Sequence, residues 1–291
     1  GETAFDAWHL DGGALTTVYE TSTTSVEAGA RLLTNQVNPS GSAPSDSVGD
    51  TGSTFVAPAF HAEWQSPTGA LLYLRNTPGI ESNSLSSLFQ DNPYLTFRPV
   101  AQPTIRTTDV EAGVRYYAGR VQVAAQGGYA YSPNFQFFES TALSPYPIGL
   151  FDASYASARI LSAGAEISIQ RLQGIEVVLG ATYRNGQLTS TDTAIPLFAP
   201  MTGRAVFSYA FDEQRGHLQL VGTLESARYI DRTETTKTDP YFDLDFKAAY
   251  DITDSLGLTF QVQNMSPSTT ERWPRYERPP LAISAGMRVR W

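Results

Sequence analysis

The stretch Leu281-Ala282-Ile283-Ser284-Ala285-Gly286-Met287-Arg288-Val289-Arg290-Trp291 decides the fold. Side chains of an extended strand alternate between its two faces. Leu281, Ile283, Ala285, Met287, Val289 and Trp291 therefore share one face, and Ala282, Ser284, Gly286, Arg288 and Arg290 share the other. A soluble sheet could turn such an apolar face to a core. An aromatic residue at the very end of the strand reads better as the interfacial girdle of a transmembrane β-barrel, whose apolar face meets lipid.

Composition agrees. Charged residues make up 17% of the 291 and hydrophobic ones 41%, where about a quarter charged is usual for a soluble domain. No run approaches the ~18 continuous apolar residues of a membrane helix. That excludes a helical membrane protein but not a barrel, whose hydrophobicity lies in alternation. Cysteine is absent, which removes disulfides, thiolate metal sites and cysteine nucleophiles. The net charge is −9, and Lys237 and Lys247 are the only lysines, so no nucleic-acid partner is expected. Gly1 opens without a charged segment followed by an apolar one, and any leader or upstream domain is expected to lie outside this sequence.

Strand-like runs fill the chain. Thr3 to Leu10 and Ala14 to Thr21 flank Asp11-Gly12-Gly13, which predicts a tight opening hairpin. Ser25 to Gln36 follows, then a polar loop from Val37 to Gly52. Thr54 to Gln65 pairs with Ala70 to Asn76, and a long loop runs from Thr77 to Ile105. Thr108 to Tyr117 pairs with Val121 to Tyr131, and a further long loop leads to Ala153 to Gln170, which pairs with Ile175 to Arg184. Arg204 to Phe211 with His217 to Tyr229, and Phe242 to Tyr250 with Leu256 to Asn264, complete the pairs before the closing strand. Short turns alternate with long loops throughout. The expectation is one all-β domain over residues 1–291, an antiparallel transmembrane β-barrel of about fourteen strands with short periplasmic turns and long extracellular loops. The even count places both chain ends on the short-turn side. Tyr183, Tyr250 and Trp291 are expected at the membrane rims, and Phe246, Leu258 and Ile283 near mid-membrane.

The opposite faces carry the charges. Glu27, Arg31, Glu111, Arg115, Glu166, Glu176, Arg184, Arg204, Glu225, Asp243, Asp245, Lys247, Arg288 and Arg290 are the candidates to line a lumen. They either select solutes or pair across neighbouring strands and stiffen the wall. Arg288 and Arg290 could meet Asp243, Asp245 and Lys247 across the single strand between them. Aromatics also gather in the long loops: Tyr94 and Phe97, then Phe135, Phe137 and Phe138, then Tyr146 and Phe151. They either pack over the barrel mouth or form a binding surface. His9, His61 and His217 are the only histidines, and none has a metal-ligand spacing. No nucleophile-elbow, P-loop or dinucleotide motif occurs, so no catalytic residue, metal or cofactor is expected.

The segment YFDLDFKAAYDITDSLGLTFQVQNM, Tyr241 to Met265, resembles the penultimate hairpin of TonB-dependent outer-membrane receptors, with Tyr250, Thr253, Asp254 and Asn264 in the matching places. The run YERPPLAISAGMRVRW resembles that family's closing strand, with Trp291 where Phe is common. Asn92 to Leu95, followed by Asp109 to Tyr131, is similar to its mid-barrel signature. The resemblance implies an outer-membrane location, a surrounding lipid bilayer, and uptake of a scarce nutrient such as a metal chelate or oligomer. Family members are longer and carry an N-terminal plug with a segment that TonB grips, which nothing in this sequence resembles. The resemblance thus implies either the C-terminal barrel part of such a receptor or a shortened, plugless relative, with energy coupling through TonB expected only if a plug lies upstream. The alternatives are a plugless scaffold barrel serving outer-membrane protein partners, or a passive channel.

Overall fold

The computed structural model describes residues 5–39, 52–96, 99, 101–140, 149–266, 271, 273–276 and 280–289. Its elements are β1 (Phe5–Glu20), β2 (Thr24–Pro39), β3 (Gly52–Gln65), β4 (Ala70–Asn76), β5 (Gly79–Glu81), α1 (Leu85–Asp91), β6 (Thr104–Arg106), β7 (Thr108–Ala118), β8 (Val121–Ser140), β9 (Phe151–Leu172), β10 (Ile175–Leu188), β11 (Met201–Phe211), β12 (Gly216–Glu225), β13 (Tyr241–Asp251), β14 (Leu256–Gln263) and β15 (Ala282–Val289). All fifteen strands belong to one antiparallel sheet. Each main strand pairs with its neighbours in sequence, while β5 and β6 lie off that path and touch it through β8.

Short connections at one end and long ones at the other produce this order. The β9–β10 turn depends on Gly174, whose φ is +86°. A Cβ there would lie 2.3 Å from the Ala210 carbonyl oxygen, and the Gly174 carbonyl accepts the Ala210 N–H at 2.8 Å. Only glycine fits both demands without strain.

The predicted opening hairpin does not form. Asp11, Gly12 and Gly13 continue straight through β1, opposite Leu33, Leu32 and Arg31. Neither glycine adopts positive φ. Gly13 instead serves close packing, since a Cβ there would lie 2.5 Å from Arg31 Cγ. The main path therefore holds thirteen strands among the described residues. With an odd count β1 and β15 run in the same direction. β1 starts at the long-loop end and β15 finishes at the short-turn end, which corrects the placement of both ends on one side.

The β8–β9 hairpin also differs from expectation. Phe135, Phe137 and Phe138 lie on a strand, because β8 resumes pairing after a register shift between Ser132 and Phe135. Pro133 sits in that shift, where its missing N–H breaks no ladder bond. The predicted loop from Thr77 to Ile105 contains α1, β5 and β6. Ser84 caps α1 by accepting from the Ser87 N–H, and the Ser87 hydroxyl accepts in return from the Ser84 N–H.

Burial is the inverse of a soluble sheet. Leu161, Ile167, Leu179, Phe207, Phe242, Phe260 and Ile283 are exposed on one continuous face, joined by register from β9 to β15. The buried apolar clusters lie instead in the long-loop half: Leu88, Leu95 and Phe151 in one, Phe137, Leu188 and Ile195 in a second, Leu33, Ala57 and Ile105 in a third. Tyr94, in the β4–β7 connection, stacks on Tyr276, in the β14–β15 connection, with ring centroids 3.4 Å apart. These connections leave strands far apart in the sheet, so the sheet is rolled and its loops meet over the opening. Among the described residues, no helix is long and apolar enough to cross a membrane.

Candidate functional site

Every described charged candidate falls on the polar face. One register row runs Glu27, His61, Arg75, Glu111, Gly128, Ser162, Arg184. A second runs Arg115, Ala124, Glu166, Gly180, Arg204, Thr223, Asp243. Glu176 shares a third row with Ser208, Gln219 and Lys247. Arg31, Glu225, Asp245 and Arg288 fall on the same face by strand period. Arg290 and Trp291 lie outside the described residues, as do Phe97 and Tyr146 among the loop aromatics. Tyr183 and Tyr250 occupy the opposite, apolar face, beside Met201 and Leu258 respectively. From Ile175 to Tyr183 that face spans about 20 Å of height, at ~3.3 Å per residue and a tilt of ~40°.

Some candidates are paired and others stand apart. Arg31 bonds Asp11 at 2.7 Å, and the same carboxylate accepts the Ile80 N–H at 3.1 Å, tying β5 to the wall. Glu111 accepts from Arg75 at 2.8 Å and from the Tyr73 hydroxyl at 2.9 Å. Arg288 bonds Asp251 at 2.5 Å. That corrects the expected approach of Arg288 to Asp243, Asp245 and Lys247: the register places Arg288 beside Gly257, which faces Asp251. Asp243 accepts from the Tyr241 hydroxyl, and Asp245 accepts the Asn264 N–H at 3.0 Å. Among the described residues Glu27, Arg115, Glu166, Glu176, Arg204 and Lys247 make no ion pair. Arg184 instead places its guanidinium 4.6 Å from the centroid of the Phe198 ring.

Leu258 is also placed differently from expectation. It pairs directly with Tyr250 and with Met287, so it belongs near the short-turn rim. Phe246, Val262 and Ile283 form the row farther from that rim.

At the long-loop end several connections meet through side chains, most of which the sequence alone did not single out. Glu139 and Asp152 face each other across β8 and β9. Arg232, from the β12–β13 connection, grips Glu139 with Nε at 2.7 Å and Nη2 at 2.6 Å. Thr96, from the β4–β7 connection, donates its hydroxyl to Asp152 at 2.8 Å. Burial raises the Asp152 carboxyl above its ordinary range; the Thr96 hydroxyl opposes this and the Glu139 charge adds to it. Trp273, from the β14–β15 connection, meets Phe138 edge-on at 5.8 Å and Phe151 at 5.4 Å. Arg228, almost fully buried, lies 3.5 Å from Glu225 and 6.0 Å from the Trp273 ring centroid. Tyr155 accepts the Gln102 N–H at 2.9 Å, and burial pushes its hydroxyl up to about 12. The loop aromatics Tyr94, Phe135, Phe137, Phe138 and Phe151 thus pack over the opening. Among the described residues no three His, Asp or Glu gather as a metal site.

The arrangement is a rolled sheet with a lipid-compatible outside, a charged inside and a packed cover at one end. Residues 3–265 match the family model described as TonB dependent receptor-like, beta-barrel. Solved structures share the fold: the copper transporter OprC, at 15% identity and a TM-score of 0.67, over 98% of this chain and 48% of that one. The pyoverdine outer membrane receptor FpvA from Pseudomonas aeruginosa PAO1 gives 15% and 0.67, over 99% and 42%. The ferric yersiniabactin uptake receptor FyuA from Yersinia pestis gives 15% and 0.65, over 97% and 44%. This chain therefore spans less than half the length of each. No curated protein matches it in sequence.

Proposed function

The chain belongs to the family of TonB-dependent receptor β-barrels, and from that premise we propose that it forms wall and mouth of an outer-membrane uptake protein for a scarce nutrient, a metal chelate or oligomer. Its apolar face is taken to meet the bilayer and its polar face to line the lumen. Coupling to TonB belongs to the reading in which the protein also carries a plug. The observation that supports this best is a charged inner face combined with long connections that meet at one end, Tyr94 on Tyr276 and Arg232 on Glu139. An open passive channel needs no such contacts. The similar structures are those of a copper transporter, a pyoverdine receptor and a ferric yersiniabactin uptake receptor, which makes metal chelates the first substrates to try.

The test is uptake by cells expressing or lacking the full-length protein, with and without TonB, under copper or iron limitation. Uptake that needs both supports the reading. Uptake indifferent to TonB, together with steady single-channel conductance in a planar bilayer, would replace it with a passive channel. Neither uptake nor conductance would leave the scaffold reading.

A further inference from the structure

The second register row has a pattern that the first lacks. Arg115 on β7, Glu166 on β9, Arg204 on β11 and Asp243 on β13 alternate in sign, one charge on every second strand. The strands between contribute Ala124, Gly180 and Thr223, so small residues separate the charges. Neighbouring charges are about 10 Å apart along the wall, at ~4.8 Å per strand. Register rows run across the strands, and the strands of a membrane barrel tilt by ~40°. The row therefore climbs about 3 Å per strand, close to 18 Å from Arg115 to Asp243. Arg115 lies near the short-turn end of β7 and Asp243 near the long-loop end of β13.

The charges of this row do not satisfy one another. Arg115, Glu166 and Arg204 make no ion pair among the described residues, although Gly180 puts no side chain between Glu166 and Arg204. A Cβ at Gly180 would lie 3.7 Å from Glu166 Oε2, so the carboxylate already leans over that gap. Arg115 Nε is shielded from solvent and has no hydrogen-bond partner. The three charges line one groove of about 500 Å³, with Gln122, Gln126 and Thr182 beside them. An unpaired desolvated donor costs free energy that a bound acceptor would return.

We propose that this diagonal row is a binding track for solutes that carry an ammonium between two carboxylates, the aminodicarboxylate class. The carboxylates lie on Arg115 and Arg204, the ammonium on Glu166, and Asp243 presents the next anionic step towards the mouth. A plain dicarboxylate would meet Glu166 unpaired, and a simple cation would leave both guanidiniums unmatched, so the sign order itself discriminates. This rests on the reading of the polar face as the lumen of an uptake protein.

The test is calorimetric binding of 4-aminopimelate and of pimelate, which lacks the ammonium, to the full-length protein in detergent. Folding of each variant is checked by heat-modifiable gel mobility. The parent should bind 4-aminopimelate about tenfold more tightly than pimelate, the scale of one charge-assisted bond. Glu166→Gln should erase that preference, and Arg204→Gln should weaken both ligands. Equal binding of the two probes by the parent, or a preference that survives Glu166→Gln, overturns the track. The parent comparison requires no variant, so a folding defect cannot hide the answer. Cellular uptake is scored separately: failure there with the binding preference intact sinks the transport reading and leaves the track standing.

Discussion

On β4 and β7 the polar face pairs Arg75 with Glu111, whereas the row from Arg115 on β7 to Asp243 on β13 holds its charges apart. In the first region charged residues sit on adjacent strands: Arg75 faces Glu111 directly, and Tyr73 adds a second donor to the same carboxylate. In the second region small residues intervene at every other strand, and Arg115, Glu166 and Arg204 make no ion pair among the described residues. Both regions share the same fold, strand period and outer face. The difference is one of register. A charge beside its opposite stiffens a wall, while charges one strand too far apart leave room for something else to bridge them. Arg75 and Glu111 thus stiffen the wall, and the spaced charges are those of the proposed track.

The largest expected effect concerns what the two regions share. Phe246→Arg, in the row with Val262 and Ile283, should cost about 2–4 kcal/mol of folding stability in lipid, the cost of a cation near mid-membrane. Val289→Arg, beside Leu256 and next to the turn, should cost about 0–1 kcal/mol. Met287→Arg should resemble Val289→Arg more than Phe246→Arg, because Met287 stands beside Leu258 and through it beside Tyr250. Denaturant titration of protein folded into vesicles measures all three. Equal costs at Phe246 and Val289 would show that this face does not meet a bilayer.

The next effect separates the regions directly. Glu111→Gln breaks an ion pair and a charged hydrogen bond, and should cost about 1 kcal/mol, since the guanidinium is largely solvated. Glu166→Gln should change stability by less than about 0.5 kcal/mol. A double-mutant cycle should find coupling between Arg75 and Glu111 of about 0.5 kcal/mol and none between Arg204 and Glu166. Coupling of the second pair as strong as the first would erase the distinction.

The faces of this sheet are legible in the sequence because the strand period is two everywhere, and a face needs only local counting. Every described charged candidate and both described girdle tyrosines fall on the face read from that period. Neighbourhood is not legible in the same way. That Glu166 and Arg204 flank Gly180, or that Arg288 meets Asp251, depends on turn lengths and bulges such as the shift at Ser132, which single residues set. Gly12-Gly13 shows the same ambiguity, since a glycine pair serves a turn or a close approach equally well. The mouth was least legible: Glu139, Arg232, Thr96 and Trp273 come from four separate connections or arms, and nothing local joins them.

The mouth offers a pH test that neither wall region should share. Asp152 has its carboxyl raised by burial and by the facing Glu139. A carboxyl with a folded-state pKa above its unfolded value favours folding when protonated. The local stability of the cover should therefore increase as pH falls through that raised value, and be lost again as pH rises through it. Hydrogen exchange of the segment around Thr96 and Phe151 measures this. Asp152→Asn should flatten the response; an unchanged pH dependence in that variant would remove Asp152 as its source.

The smallest effect lies in the turns beneath the two regions. The β3–β4 and β7–β8 turns use Gly69 and Gly119, with φ of +90° and +62°. The β11–β12 turn, under the spaced charges, holds Asp212, Glu213 and Gln214 at φ of +51°, +52° and +74°. Left-handed backbone costs a residue with a Cβ roughly 1 kcal/mol. Asp212 has compensation, because its carboxylate accepts the Tyr250 hydroxyl at 2.6 Å. Glu213 is exposed and has no such bond. Glu213→Gly should therefore raise stability by about 0.5 kcal/mol, once the greater freedom of glycine in the unfolded chain is subtracted. Asp212→Gly should gain nothing, because relief of strain is offset by the lost bond to Tyr250. If Glu213→Gly destabilises the protein instead, the side chain contributes more to this turn than its backbone strain costs, and the two regions differ in their turns as well as along their strands.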